Sequence, residues 1–158
     1  RKFVGVIGTQ GTIASGAYQR ALTRIDPSIS VFAQACPLFV SLAEEGWTDR
    51  AASLLIAHEY LDPLREAMID VLVLGCTHYP LLMPVIRRVM GPETILTDSA
   101  AEVTREVGHL LQENELESDG SAVSGHRFFV SDAPLKFREV GERFLGRALP
   151  TVELATAG

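Results

Sequence analysis

Two kinds of apolar pattern alternate along this chain. Short blocks at residues 3–8, 29–35, 71–74, 94–97, 127–130 and 150–154 read as strands. The block Val71-Leu72-Val73-Leu74 is continuously apolar, as a strand covered on both faces of a parallel sheet should be. Between the blocks, apolar residues recur at helical spacing over about 13–25, 38–43, 51–68, 81–89, 101–112 and 135–145. Thr12 or Ser15 is expected to cap the first helix and Thr48 the long third one, with Pro63 bending or interrupting the latter. Ser131-Asp132-Ala133-Pro134 is expected to cap the last helix, with proline at an early helical position. In the helix over 101–112 the pattern sends Val103, Val107, Leu110 and Leu111 inward and leaves Glu102, Arg105 and Glu106 in water. Residues 113–125 turn rich in Glu, Ser, Asp and Gly and read as a solvated loop.

Strands alternating with helices predict an α/β fold, a doubly wound and mainly parallel sheet of the Rossmann or flavodoxin kind. The chain is organised around residues 70–90. There a buried strand ends at Gly75, the loop Cys76-Thr77-His78-Tyr79-Pro80 follows, and Leu81, Leu82, Val85, Ile86 and Val89 begin a helix. Cys76 therefore belongs at the carboxyl edge of the sheet, where ligands bind and helix starts favour negative charge. A free thiol titrates near pH ~8.5, and a helix N-terminus or an imidazolium lowers that toward roughly 3.5–7.5. His78 stands two residues away, able to share a proton with the thiol or a substrate. The plain alternative is a buried structural cysteine beside a surface histidine. Thr9 and Thr12 flank a glycine turn after the first strand and are anion-binding candidates, although an ordinary strand-to-helix turn uses the same residues. The turn is neither a dinucleotide fingerprint nor a P-loop.

Composition narrows the class. The 158 residues are 47% hydrophobic and 22% charged, a globular balance, and the net charge of -6 argues against a nucleic-acid partner. No apolar run is long enough to be a membrane span, so no membrane association is expected. Cys36 and Cys76 are too few for a disulfide framework and suggest a reducing, cytoplasmic compartment. No metal site is expected, because Cys76, His78, Cys36 and His58 lack zinc-ligand spacing. A cysteine hydrolase with Cys76 as nucleophile and His78 as base is a rival, made awkward by two-residue spacing within one loop.

The segment Leu74-Gly75-Cys76-Thr77-His78-Tyr79-Pro80-Leu81-Leu82 resembles the second cysteine motif of bacterial glutamate racemases. The stretches from Val6 to Tyr18, from Ala35 to Val40, Asp98-Ser99, and the segment from Phe129 to Leu145 are similar to the same family, so the likeness runs over nearly the whole chain. Aspartate racemases resemble it less, tending to carry Glu where this chain has His78.

The resemblance implies a cofactor-free interconversion of L- and D-glutamate by two opposed cysteines, supplying the bacterial cell wall and so cell shape. It implies that Cys76 is one of the pair, that Thr77 and His78 bind glutamate, that His78 tunes Cys76, and that Glu44 orients His78. Cys36 is not expected to be the second cysteine, which in the family accompanies an Asp-Ser-Gly, a Tyr-Gly and a Cys-Asn-Thr motif; none of these is found here, Asp98-Ser99 being a different junction. Ser41 stands where the family usually has proline. Residues 1–91 are then expected to form one α/β lobe, and residues 92–158 a segment of a second, incomplete lobe that packs on an N-terminal lobe. The chain alone is expected not to racemise. A homodimer through an apolar helix face, another amino acid as substrate, and a non-catalytic binding module derived from a truncated racemase are the alternatives.

Overall fold

A computed structural model describes residues 2–120 and 125–155. Four strands, β1 (Phe3–Gly8), β2 (Ser30–Ala35), β3 (Val71–Leu74) and β4 (Ile95–Asp98), form one parallel sheet in the order β2-β1-β3-β4. The chain moves from the central strand β1 outward on both sides, so the strand order reverses beside it. Such a reversal opens a crevice at the carboxyl ends of the strands. Parallel strands need long crossovers, and here helices supply them. These are α1 (Gln10–Ala14) and α2 (Ala17–Ile25) after β1, α3 (Leu38–Glu44) and α4 (Ala51–Glu66) after β2, and α5 (Met83–Met90) after β3.

The core joins Ile7, Leu72 and Leu74 of the sheet to Phe39, Leu42 and Ala43 of α3, Ala57, Leu61 and Leu64 of α4, and Val85, Ile86 and Val89 of α5. Burying each of the larger side chains is worth about 1.5–3 kcal/mol. Compactness divides the chain into one unit ending at Gly108 and a second from His109 onward. The division expected at residue 91 falls between α5 and β4, and β4 pairs with β3 inside the first unit. Helix α6 (Ser99–Glu113) leaves β4, its first turn capped by Asp98 Oδ1, which accepts from Ala101 N–H at 3.0 Å.

In the second unit β5 (Phe128–Val130) and β6 (Val152–Leu154) pair in parallel, joined through α7 (Pro134–Leu145). Arg127 bridges to Glu153 across the two strands, and Leu149 is buried against Gly141 of α7.

The structure amends several expectations. The first helix is two: Thr9 caps α1 through Thr12 N–H, and Gly16, at φ 61°, turns the chain into α2. A left-handed residue breaks a helix more sharply than the apolar spacing reveals. Arg50 rather than Thr48 precedes α4, and Pro63 stays inside it, one turn from its end, without stopping it. The expected single helix over 81–89 is a 3-10 turn, Tyr79–Leu82, followed by α5, which is tolerated because Pro84 lies in the first turn of α5, where its missing N–H is no loss. The expected cap over 131–134 holds: Ala133 occupies the cap position of α7, Pro134 opens the helix, and Asp132 Oδ1 accepts from Ala133 N–H. Val103, Val107, Leu110 and Leu111 of α6 are exposed, not inward. Part of the expected loop over 113–125, residues 121–124, lies outside the described residues.

Candidate active site

The site grows out of how the strand ends are tied together. Cys36 N–H donates to the Gly8 carbonyl at 2.9 Å and Gly75 N–H to the Ile7 carbonyl at 2.7 Å, so β1, β2 and β3 finish at one level. Glycine at 75 is required by space. A Cβ there would lie 2.7 Å from the Ile7 oxygen and 3.1 Å from the Tyr18 ring. Cys76 thus begins its loop pressed against the neighbouring strand end.

Cys76 is half-buried, packed on the edge of the core but not sealed within it. Its Sγ lies 4.0 Å from His78 Nδ1, the outer limit for a sulfur hydrogen bond. The two-residue spacing is therefore compatible with a thiol-imidazole contact within one loop. On the other side of the ring, Nε2 stands 3.4 Å from Glu44 Oε1 at the end of α3. A carboxylate at Nε2 favours the proton there and leaves Nδ1 as an acceptor toward the thiol. Thr77 Oγ1, 3.4 Å from the same Nδ1, approaches that acceptor too. A protonated imidazole in this place stabilises a thiolate, and a neutral one accepts the thiol's proton.

Cys76, Thr77, His78 and Glu44 are thus brought into one constellation. Thr9 and Thr12 form a separate pair at the end of β1, their hydroxyls 3.0 Å apart and Thr9 Oγ1 already engaged in capping α1. Cys36 is fully buried, and desolvation pushes its thiol up to about 12. That thiol stays protonated near neutral pH and is a poor proton acceptor. His58, on α4, contacts Asp62 one turn away, at 3.1 Å. Among the described residues no group of three or more His, Cys, Asp or Glu is placed to hold a metal ion. Nor is any described helix long and apolar enough to cross a membrane.

The sequence profile of the Asp/Glu/hydantoin racemase family matches residues 1–107, which include all of these side chains. The chain belongs to that family. The glutamate racemase of Geobacter metallireducens is 54% identical over 149 residues, covering 94% of this chain and 55% of that protein. That of Syntrophus aciditrophicus is 50% identical over 150 residues, covering 95% of this chain and 56% of the relative. Among solved structures, a glutamate racemase from Francisella tularensis in complex with D-glutamate superimposes with a TM-score of 0.88 at 37% identity, over 100% of this chain and 58% of that one. The chain therefore spans a little over half the length of these relatives. For this racemase-family lobe, sequence reasoning missed Tyr79 and Tyr18, which pack around the Cys76 loop. Both stand inside the quoted motifs, but only the fold shows what they touch.

Proposed function

We propose that this chain supplies one wall of a glutamate racemase site, in which Cys76 exchanges a proton with the α-carbon of glutamate without a cofactor. The observation that carries this reading is the Cys76-His78-Glu44 relay at the sheet's carboxyl edge, with a half-buried sulfur 4.0 Å from the imidazole. Relatives named glutamate racemase, and a neighbour solved with D-glutamate, support glutamate as the substrate class.

Racemisation needs a base on one face of the α-carbon and an acid on the other. As thiolate, Cys76 takes the α-proton from one enantiomer; as thiol, it returns a proton when the reaction runs the other way. His78, held through Nε2 by Glu44, takes up and gives back the thiol's proton and hydrogen-bonds the substrate. Thr77 offers its hydroxyl and N–H to a substrate carboxylate, and Thr9 and Thr12 a second polar edge. A second cysteine, in the part of the relatives that this chain does not span, completes the pair. Helix α6, through its exposed apolar positions Val103, Val107, Leu110 and Leu111, packs on that part. The product, D-glutamate, serves peptidoglycan synthesis in the bacterial cytoplasm.

The test uses the protein joined to an N-terminal lobe like that of its relatives. Deuterium uptake at the α-carbon and circular dichroism of glutamate are followed for wild type and Cys76→Ser. Loss of interconversion in the variant is expected, together with no racemisation by the 158-residue chain alone. Full turnover by Cys76→Ser, or racemisation by the chain alone, refutes the assignment.

A further inference from the structure

We infer that Tyr79 is a positioning residue, its buried hydroxyl latching the Cys76 loop to the start of α3 and so setting the gap between His78 and Glu44. The function of that gap rests on the racemase reading above. Tyr79 is fully buried and donates its hydroxyl to the Cys36 carbonyl at 2.9 Å, across 43 positions of sequence. The same carbonyl accepts from Phe39 N–H, the first turn of α3, at 3.2 Å. One oxygen therefore holds both the loop and the helix. On the loop side, Tyr79 N–H donates to the Cys76 carbonyl at 3.1 Å, closing the turn that carries Thr77 and His78. On the helix side, α3 is only seven residues long and ends at Glu44.

Apolar packing alone does not call for a hydroxyl here. The Tyr79 ring meets Phe39 edge-on, with centroids 5.3 Å apart, and Phe39 meets Tyr60 of α4 in the same way, also at 5.3 Å. Phenylalanine would keep those contacts. A buried hydroxyl is costly unless bonded, so its presence at this position is a directional constraint rather than added packing. Burial, followed by the neighbouring Cys36, Cys76 and Tyr60, pushes the phenol above its ordinary range, and it remains a neutral donor wherever the enzyme works.

The test compares wild type, Tyr79→Phe, Glu44→Gln and the double variant in the complete protein, with Phe39→Leu as a packing control. One buried neutral hydrogen bond corresponds to about a two- to tenfold effect. For Tyr79→Phe we expect kcat to fall by roughly that factor with KM within about twofold, and the NMR titration midpoint of His78 to move. In the double variant the loss should be smaller than the product of the single losses, because both act through His78. Phe39→Leu should lower the melting temperature and leave the His78 midpoint where it is. A His78 midpoint unchanged by Tyr79→Phe, or losses that multiply in the double variant, overturns the inference. If the wild type does not racemise glutamate, the reaction assignment falls, whereas the His78 titration still decides for or against the latch.

Discussion

Replacing Gly75 by alanine puts one methyl group where the structure has no room for it. The new Cβ would stand 2.7 Å from the Ile7 carbonyl oxygen, where ordinary contact begins at 3.4 Å. Because that oxygen is backbone in the central strand, no rotamer change relieves the clash, and the end of β3 must move away from β1. The Gly75 N–H···O bond to Ile7, now 2.7 Å, lengthens with it. Overpacking costs about 1–3 kcal/mol and the weakened hydrogen bond about 0.5–1.5, so Gly75→Ala should lose about 2–4 kcal/mol. Urea unfolding measures this as a lower midpoint at unchanged slope. The movement also carries Cys76, so its alkylation rate in the native protein should change as well. A cost under about 0.5 kcal/mol with unaltered Cys76 reactivity would show that the strand end is soft and that the glycine is not what fixes the sulfur.

Native alkylation near pH 7.5 should label Cys76 and spare Cys36, which is sealed and has a thiol raised to about 12; mass spectrometry that finds Cys36 modified at a similar rate contradicts its burial. Hydrogen bonds from Lys2 and Ser28 hold the Asp26 carboxyl well below its ordinary range. Because the folded value is depressed, its stabilisation is complete above the unfolded pKa of about 3.9 and fades as pH falls through that value toward the folded one. The melting-temperature gap between wild type and Asp26→Asn should therefore be steady at neutral pH and close in acid; a gap that widens in acid reverses the sign. Gly108, within α6, has open space at its Cβ position, so Gly108→Ala should stabilise by about 0.4–1 kcal/mol, read by thermal melting, and a loss would reveal a contact not seen here.

How far the sequence could be read depended on the range of the interaction. The strands were legible because short continuous apolar blocks such as 71–74 match a strand's length, although in β3 only Leu72 and Leu74 are fully buried and Val71 and Val73, on the other face, are half-buried. The break at Gly16 was not, since it depends on a left-handed φ rather than on polarity. Helix α6 was misread for a related reason: its apolar stripe has the right period, but periodicity marks a face without saying what covers it. At the site, residue types named Cys76 and His78, and the motif's resemblance named Glu44. What no local pattern contained was the distance of 3.4 Å between Glu44 and His78, which arises because β2 and β3 flank β1 and finish at the same edge. Tyr79 escaped for the same reason, its hydroxyl partner lying 43 positions away.

The sheet edge also limits what this lobe can do by itself. A two-base inversion needs a second group facing Cys76 across the substrate, with a proton affinity near that of the first. The sequence contains one other thiol, Cys36, and it fails on both counts. It lies in the core, where a substrate cannot reach it, and desolvation leaves it protonated to about pH 12. Its carbonyl accepts from the Tyr79 hydroxyl and from Phe39 N–H in the first turn of α3, so exposing Cys36 would break both hydrogen bonds. Under the proposed mechanism the opposing thiol therefore comes from outside these residues. A Cys36→Ala variant of the complete protein should accordingly keep its racemase activity within a few-fold, and complete loss of turnover in a variant that still folds would require the roles of the two cysteines to be redrawn.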